Sequence, residues 1–156
     1  ETAIGKLLKN AGKTLALAES CSGGYISHLI TAVPGCSQYY QGAVVPYHNA
    51  LKEQLLGVSS ATLAQQGAVS EATVQEMALG VKKLFGVDYG LASSGIAGPD
   101  GGSPDKPVGT VWIACAGPDF VEAKLLQLTQ DRMINIQLTG VAVLNLLRIC
   151  ISKHNK

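Results

Sequence analysis

Apolar positions along the chain change period several times, and each change marks an element. Residues 2–9 (Thr-Ala-Ile-Gly-Lys-Leu-Leu-Lys) have helical spacing that stops at Asn10-Ala11-Gly12, a glycine C-cap signal. Leu15 to Ala18 is an unbroken apolar run, the pattern of a buried strand. Cys21-Ser22-Gly23-Gly24 then turns the chain into a second helix, about Tyr25 to Thr31, and Pro34-Gly35 ends that region. Residues 39–46 read as a strand stopped by Pro46. Asn49 to Leu56 is a short helix closed by Gly57, and Ser60 caps another that ends at Gly67. Ser70 opens a longer helix whose core positions Val74, Met77, Ala78, Val81 and Leu84 follow the helical period until Gly86. Asp88 to Ser94 is the next strand. Val108 to Ala116 and Phe120 to Leu128 form a hairpin around Gly117-Pro118-Asp119, and Asp131 caps a final helix to about Lys153. Strands and helices alternate first and the hairpin comes late. That order predicts an α/β fold whose mixed sheet is parallel where helices connect it and antiparallel at the hairpin.

Composition narrows the picture. The chain has 156 residues, ordinary for one domain, and no repeat or linker divides 1–156. Hydrophobic residues at 47% exclude a disordered chain, and charged residues are only 15%, against about 25% in typical domains. So low a charge suggests that part of the surface meets another copy of the chain, a dimer being favoured. A net charge of +1 gives no domain-wide field for nucleic acid. The apolar runs are shorter than the ~20 residues of a spanning helix, and no secretory signal is expected, so the reading is a soluble cytoplasmic protein with no membrane partner. Cys21, Cys36, Cys115 and Cys150 have no metal-type spacing and read as free thiols. His28, His48 and His154 are too scattered for a metal set.

Two glycine-rich loops follow strands, where open α/β sheets bind ligands. In the first, Ser20 and Ser22 flank Cys21, and Gly23-Gly24 opens a helix. A hydroxyl there lies near free N–H groups and the positive helix end, suited to an oxyanion or a phosphate. The alternative is that Ser20 or Ser22 simply caps the helix. The segment matches neither the P-loop nor Gly-x-Ser-x-Gly. The second loop, from Ile96 to Pro107, has small side chains that let backbone amides approach a ligand closely, or it is an ordinary long connection. A third segment, Pro46-Tyr47-His48-Asn49-Ala50-Leu51-Lys52, places Lys52 one turn into a helix. Periodicity alone does not connect Lys52 to Ser20.

Four stretches together resemble the C-terminal domain family of the competence- and damage-inducible protein CinA. They are Ala18-Glu19-Ser20-Cys21-Ser22-Gly23-Gly24, Tyr47–Lys52 with Leu56-Gly57-Val58, Gly67-Ala68-Val69-Ser70-Glu71, and Ser94–Gly102 through Pro107–Trp112. Stand-alone members are nicotinamide mononucleotide deamidases. The resemblance implies a three-layer α/β/α sandwich and hydrolysis of a pyridine mononucleotide carboxamide to nicotinic acid mononucleotide and ammonia, with no metal or cofactor required. It places the Ser–Lys dyad at Ser20 and Lys52, with Lys52 turned inward, and the family's catalytic tyrosine at Tyr47, relaying the proton that Lys52 gives to the departing ammonia. Ser22 becomes a supporting hydroxyl, and N–H groups around Gly23 or Gly24 meet the oxyanion. The substrate phosphate is expected on amides of Gly98, Gly101 and Gly102, helped by Ser103, Lys106 or Arg132. Larger CinA proteins also carry an N-terminal pyrophosphatase-type domain, for which 156 residues leave no room. One departure stands out. Family members carry a further arginine or two after the Asp-Arg pair, whereas Asp131-Arg132 is followed by Met133-Ile134-Asn135-Ile136-Gln137. A catalytically idle relative that binds a nucleotide or a partner is the competing expectation.

Overall fold

A computed structural model describes residues 1–154. The elements run α1 (Thr2–Ala11), β1 (Leu15–Glu19), α2 (Tyr25–Thr31), a short 3₁₀ turn (Cys36–Gln38), β2 (Tyr40–Val44), α3 (Asn49–Leu56), α4 (Ser60–Gln66), α5 (Glu71–Phe85), β3 (Tyr89–Gly95), β4 (Thr110–Ala116), β5 (Val121–Gln127) and α6 (Arg132–His154). The strands form one sheet in the order β2-β1-β3-β4-β5. β1 is parallel to β2 and β3, while β4 and β5 are antiparallel to their neighbours. The α/β class and the mixed sheet are those expected from the sequence.

Alternation along the strands decides which helix lies on which face. Leu15, Leu17, Leu91 and Ile113 point to one side and pack with α1, α2 and α6 through Ile4, Leu8, Ile26, Ile30, Val143 and Leu147. Ala16, Ala18, Ala92 and Ala114 point to the other, where Val74, Met77, Ala78 and Val81 of α5 and Leu56 of α3 cover them. Small strand residues on that face let α5 lie close to the sheet. Gly90 makes this contact closest, since a Cβ there would collide with the Ala78 carbonyl. Gly80 does the same between helices: its bare Cα faces the Leu56 carbonyl at the end of α3.

Several expectations change in detail. Leu84, read as a core position, is 50% exposed in the last turn of α5, before the Gly86 C-cap. Asp88 precedes β3 and bonds Lys13 and the Thr14 amide. The N-cap of α4 is Ser59 rather than Ser60. By length and composition α6 is apolar enough to cross a membrane, against the reading that no segment is. Half of that stretch is buried within the protein, which makes α6 a core helix. Residues 155–156 of the expected 1–156 domain lie outside the described residues.

Candidate active site

The loops after β1, β2 and β3 emerge at the same edge of the sheet, because those strands run parallel. That edge gathers the candidate residues. Ser20 follows β1 directly, and its N–H donates to the Ser93 carbonyl on β3 at 3.0 Å. Lys52 reaches it from α3. His48 caps that helix, its Nδ1 accepting the Ala50 N–H at 3.3 Å. Lys52 and Leu56 lie four residues apart on its buried face. Lys52 therefore points inward and is only 1% exposed. Its Nζ lies 3.2 Å from Ser20 Oγ, 2.9 Å from the Pro46 carbonyl oxygen and 3.2 Å from that of Tyr47.

These three oxygens define what the amine can do. An ammonium donates one proton to each. After loss of one proton, the two carbonyls still hold two N–H groups, since carbonyls accept only. The lone pair is then left facing the Ser20 hydroxyl. Burial pushes the Lys52 pKa below its ordinary value, the nearby Cys21 acting weakly in the opposite sense. No carboxylate bonds the amine among the described residues. Ser20 itself is 9% exposed, at the boundary between interior and solvent. Cys21 has the opposite character: burial pushes its thiol up to about 12, so at neutral pH it stays protonated and unreactive.

The turn between β1 and α2 is held by a residue that sequence reasoning passed over. Glu19 is fully buried (0% exposed), and its carboxylate accepts from the N–H groups of Gly24, Ile26 and Ser27 at 3.1, 3.0 and 2.8 Å. Glu19 thus caps α2, the role that Ser20 or Ser22 had as an alternative in the sequence. Ser22 turns inward, donating to Glu19 Oε2 at 2.8 Å and sharing a hydrogen bond with Ser93 Oγ at 2.8 Å. Its hydroxyl is used within the fold rather than presented to a substrate. Gly23 and Gly24 both have positive φ, 60° and 98°, so the turn requires two glycines. Their N–H groups are engaged, Gly23 with the Ser20 carbonyl and Gly24 with Glu19, which removes them as oxyanion donors. The Cys21 and Ser22 amides donate to no backbone carbonyl among the described residues, and the Cys21 amide lies against its own thiol. In the sequence Glu19 is only an acidic residue closing an otherwise apolar run, beside two serines that are commoner helix caps.

Tyr47 is 59% exposed and meets the dyad through its backbone carbonyl. Its phenol oxygen accepts from Arg132 at 3.2 Å, and the same guanidinium donates to the Gly98 carbonyl at 2.7 Å. Arg132 thus joins the mouth of α3 to the glycine-rich loop. One turn on, Asn135 Nδ2 donates to the Ala97 and Thr129 carbonyls at 2.9 and 3.0 Å, anchoring the same loop to α6. Gly101 and Gly102 are exposed on the loop, while Gly98 is buried. Ser103 and Lys106 bond one another, and Lys106 Nζ donates to the Gln66 carbonyl at 2.8 Å. Among the described residues no three His, Cys, Asp or Glu side chains gather to hold a metal ion.

Known proteins resemble this chain over most of its length. A CinA-like protein of Cytophaga hutchinsonii is 52% identical over 148 residues, covering 95% of this chain and 35% of its own length. One from Amoebophilus asiaticus is also 52% identical over 148 residues, covering 95% of this chain and 36% of its length. The chain thus spans about a third of these relatives. A competence-damaged protein (CinA) superfamily protein from Klebsiella pneumoniae superposes with a TM-score of 0.93 at 34% identity, over 97% of this chain and 94% of that one. The competence/damage inducible protein CihA from Agrobacterium tumefaciens gives 0.90 at 32% identity, over 96% of each chain. The family model described as the CinA C-terminal domain matches residues 1–151, and the chain belongs to that family.

Proposed function

We propose that the protein is an amidohydrolase that removes the carboxamide nitrogen of nicotinamide mononucleotide by a Ser20–Lys52 dyad. The observation that carries this reading is the buried amine 3.2 Å from the Ser20 hydroxyl, with two carbonyls holding its remaining protons. A serine hydroxyl becomes a strong nucleophile only when a base takes its proton. Lys52 Nζ is that base, and burial, by lowering its pKa, raises the share of free amine at any pH below the ordinary value. Ser20 Oγ bonds to the carboxamide carbon, and its proton passes to Lys52. The amides of Cys21 and Ser22 follow the nucleophile in the chain and donate to no backbone carbonyl, which makes them the candidates for the oxyanion. The amide C–N bond breaks as Lys52 returns the proton to nitrogen, and ammonia leaves. Water then splits the acyl-enzyme, giving nicotinic acid mononucleotide. Tyr47 and Arg132 frame the entrance, and exposed backbone at Gly101 and Gly102 offers amides to the phosphate. Neither metal nor cofactor is needed for these steps.

In this reading the chain is one domain, works in the cytoplasm on a free pyridine mononucleotide, and engages neither membrane nor nucleic acid. It pairs with a second copy through α6, where Ile134, Leu138 and Val141 are exposed on one face. No charged residue lies between Met133 and Leu147, so two copies of that face meet without repulsion. The test of function is ammonia release from a panel of pyridine nucleotides. Release from nicotinamide mononucleotide at ordinary enzyme rates supports the reading, and no release from any member contradicts it.

One observation favours a second reading, a nucleotide binder without turnover. The Arg132 guanidinium is committed to Gly98 and Tyr47, and no other arginine follows before Arg148. Calorimetric binding of the nucleotide without ammonia release would select it.

A further inference from the structure

Glu19 ends β1 one residue before the proposed nucleophile. An ionised carboxylate offers about four acceptor sites. Four donors meet it here: the Gly24 and Ile26 N–H groups and the Ser22 hydroxyl on Oε2, and the Ser27 N–H on Oε1. None of these partners is a cation. The carboxylate instead satisfies N–H groups at the start of α2, where negative charge is favoured. Two routes lead from it back to Ser20. One is the backbone of the turn, closed by the Gly23 N–H on the Ser20 carbonyl at 3.1 Å. The other passes through Ser22 to the Ser93 hydroxyl, on the residue whose carbonyl accepts the Ser20 N–H.

We propose that Glu19 is a positioning residue for the dyad: its buried carboxylate locks the β1–α2 turn so that the Ser20 hydroxyl stays within hydrogen-bond reach of the Lys52 amine. The inference rests on the dyad reading above. Glutamine in this place turns an NH₂ group toward donors that need acceptors, and the turn must relax. A displacement of about 1 Å at a reacting group costs about 10²-fold in rate. The role is geometric: burial sets the direction of the Lys52 shift, Cys21 opposes it, and Glu19 is not among its causes. Loss of Glu19 therefore lowers the plateau rate without moving the pH midpoint.

The test uses p-nitrophenyl acetate, which reports on the dyad without a nucleotide. Ser20 Oγ bonds to the acetyl carbon, its proton passes to Lys52, and p-nitrophenolate leaves with the bonding electrons. Mass mapping locates the acetyl group, and its rate of appearance is followed against pH for the wild type, Glu19→Gln, Ser22→Ala and Ser22→Thr. The expected result for Glu19→Gln is a plateau about 10²-fold lower at an unchanged midpoint. Should that variant not fold, the Ser22 pair carries the test: Ser22→Ala slows acylation and Ser22→Thr, which keeps the hydroxyl, restores it. Unchanged plateau rates in Glu19→Gln, or in Ser22→Ala where it stands in, overturn the proposal, as does a moved midpoint with an unchanged plateau. A wild type without acetyl on Ser20 overturns the dyad reading and this inference with it. A wild type that acylates Ser20 no faster than Glu19→Gln removes this inference alone.

Discussion

At the scale of single residues, the account turns on the protonation of one amine. Lys52 titrates below its ordinary value because it is buried, so the rate of Ser20 acylation should rise with pH to a midpoint below 10.5. Removing the base should cost at least about 10²-fold, the lower range for general acid–base catalysis. The same shift has a consequence for stability. Between the folded pKa and the ordinary one, the unfolded chain binds more protons at this site than the folded chain does. Stability therefore rises with pH across that window, and the full penalty of burying the ammonium applies below it. Denaturant titrations at several pH values should show this rise in the wild type, and Lys52→Met should lack that component. Tyr47→Phe, by contrast, keeps the carbonyl that holds Lys52 and loses only the bond from Arg132. It should retain Ser20 acylation by p-nitrophenyl acetate at a rate near that of the wild type.

At the scale of elements, what matters is how α3 is kept where Lys52 can reach Ser20. Gly80 on α5 touches the Leu56 carbonyl, and a methyl group there has no room. Gly80→Ala should push α3 away, destabilise the protein by about 1–3 kcal/mol, and lower activity through Lys52. Denaturant unfolding beside an ammonia assay checks both effects. This contact also shows where sequence reading stops. The order and nearly all the boundaries of the elements were legible, because caps, glycines and periodicity are local signals. The two loops were legible as glycine-rich segments that follow strands, and the inward lysine through resemblance to a family. Gly80 was not, because a glycine inside a periodic helix looks the same whether it faces solvent or another backbone. Glu19 was not, because an acidic residue at a strand end announces neither burial nor the three amides that meet it. The hydroxyl of Ser22 was misread for the same reason, its direction being set by that carboxylate.

At the scale of the whole molecule, the sheet brings three loop edges together, and α6 closes over them with Arg132 and Asn135. Another face of α6 exposes Ile134, Leu138 and Val141. Sedimentation should give twice the 16.2 kDa mass of the chain, and Leu138→Lys with Val141→Lys should give a monomer; a wild type that sediments as a monomer contradicts the pairing. The measurement that bears most directly on the central claim is ammonia release from nicotinamide mononucleotide by the wild type, Ser20→Ala and Lys52→Ala side by side. The account predicts turnover in the wild type and a loss of at least about 10²-fold in each variant. Equal release from all three proteins would contradict it.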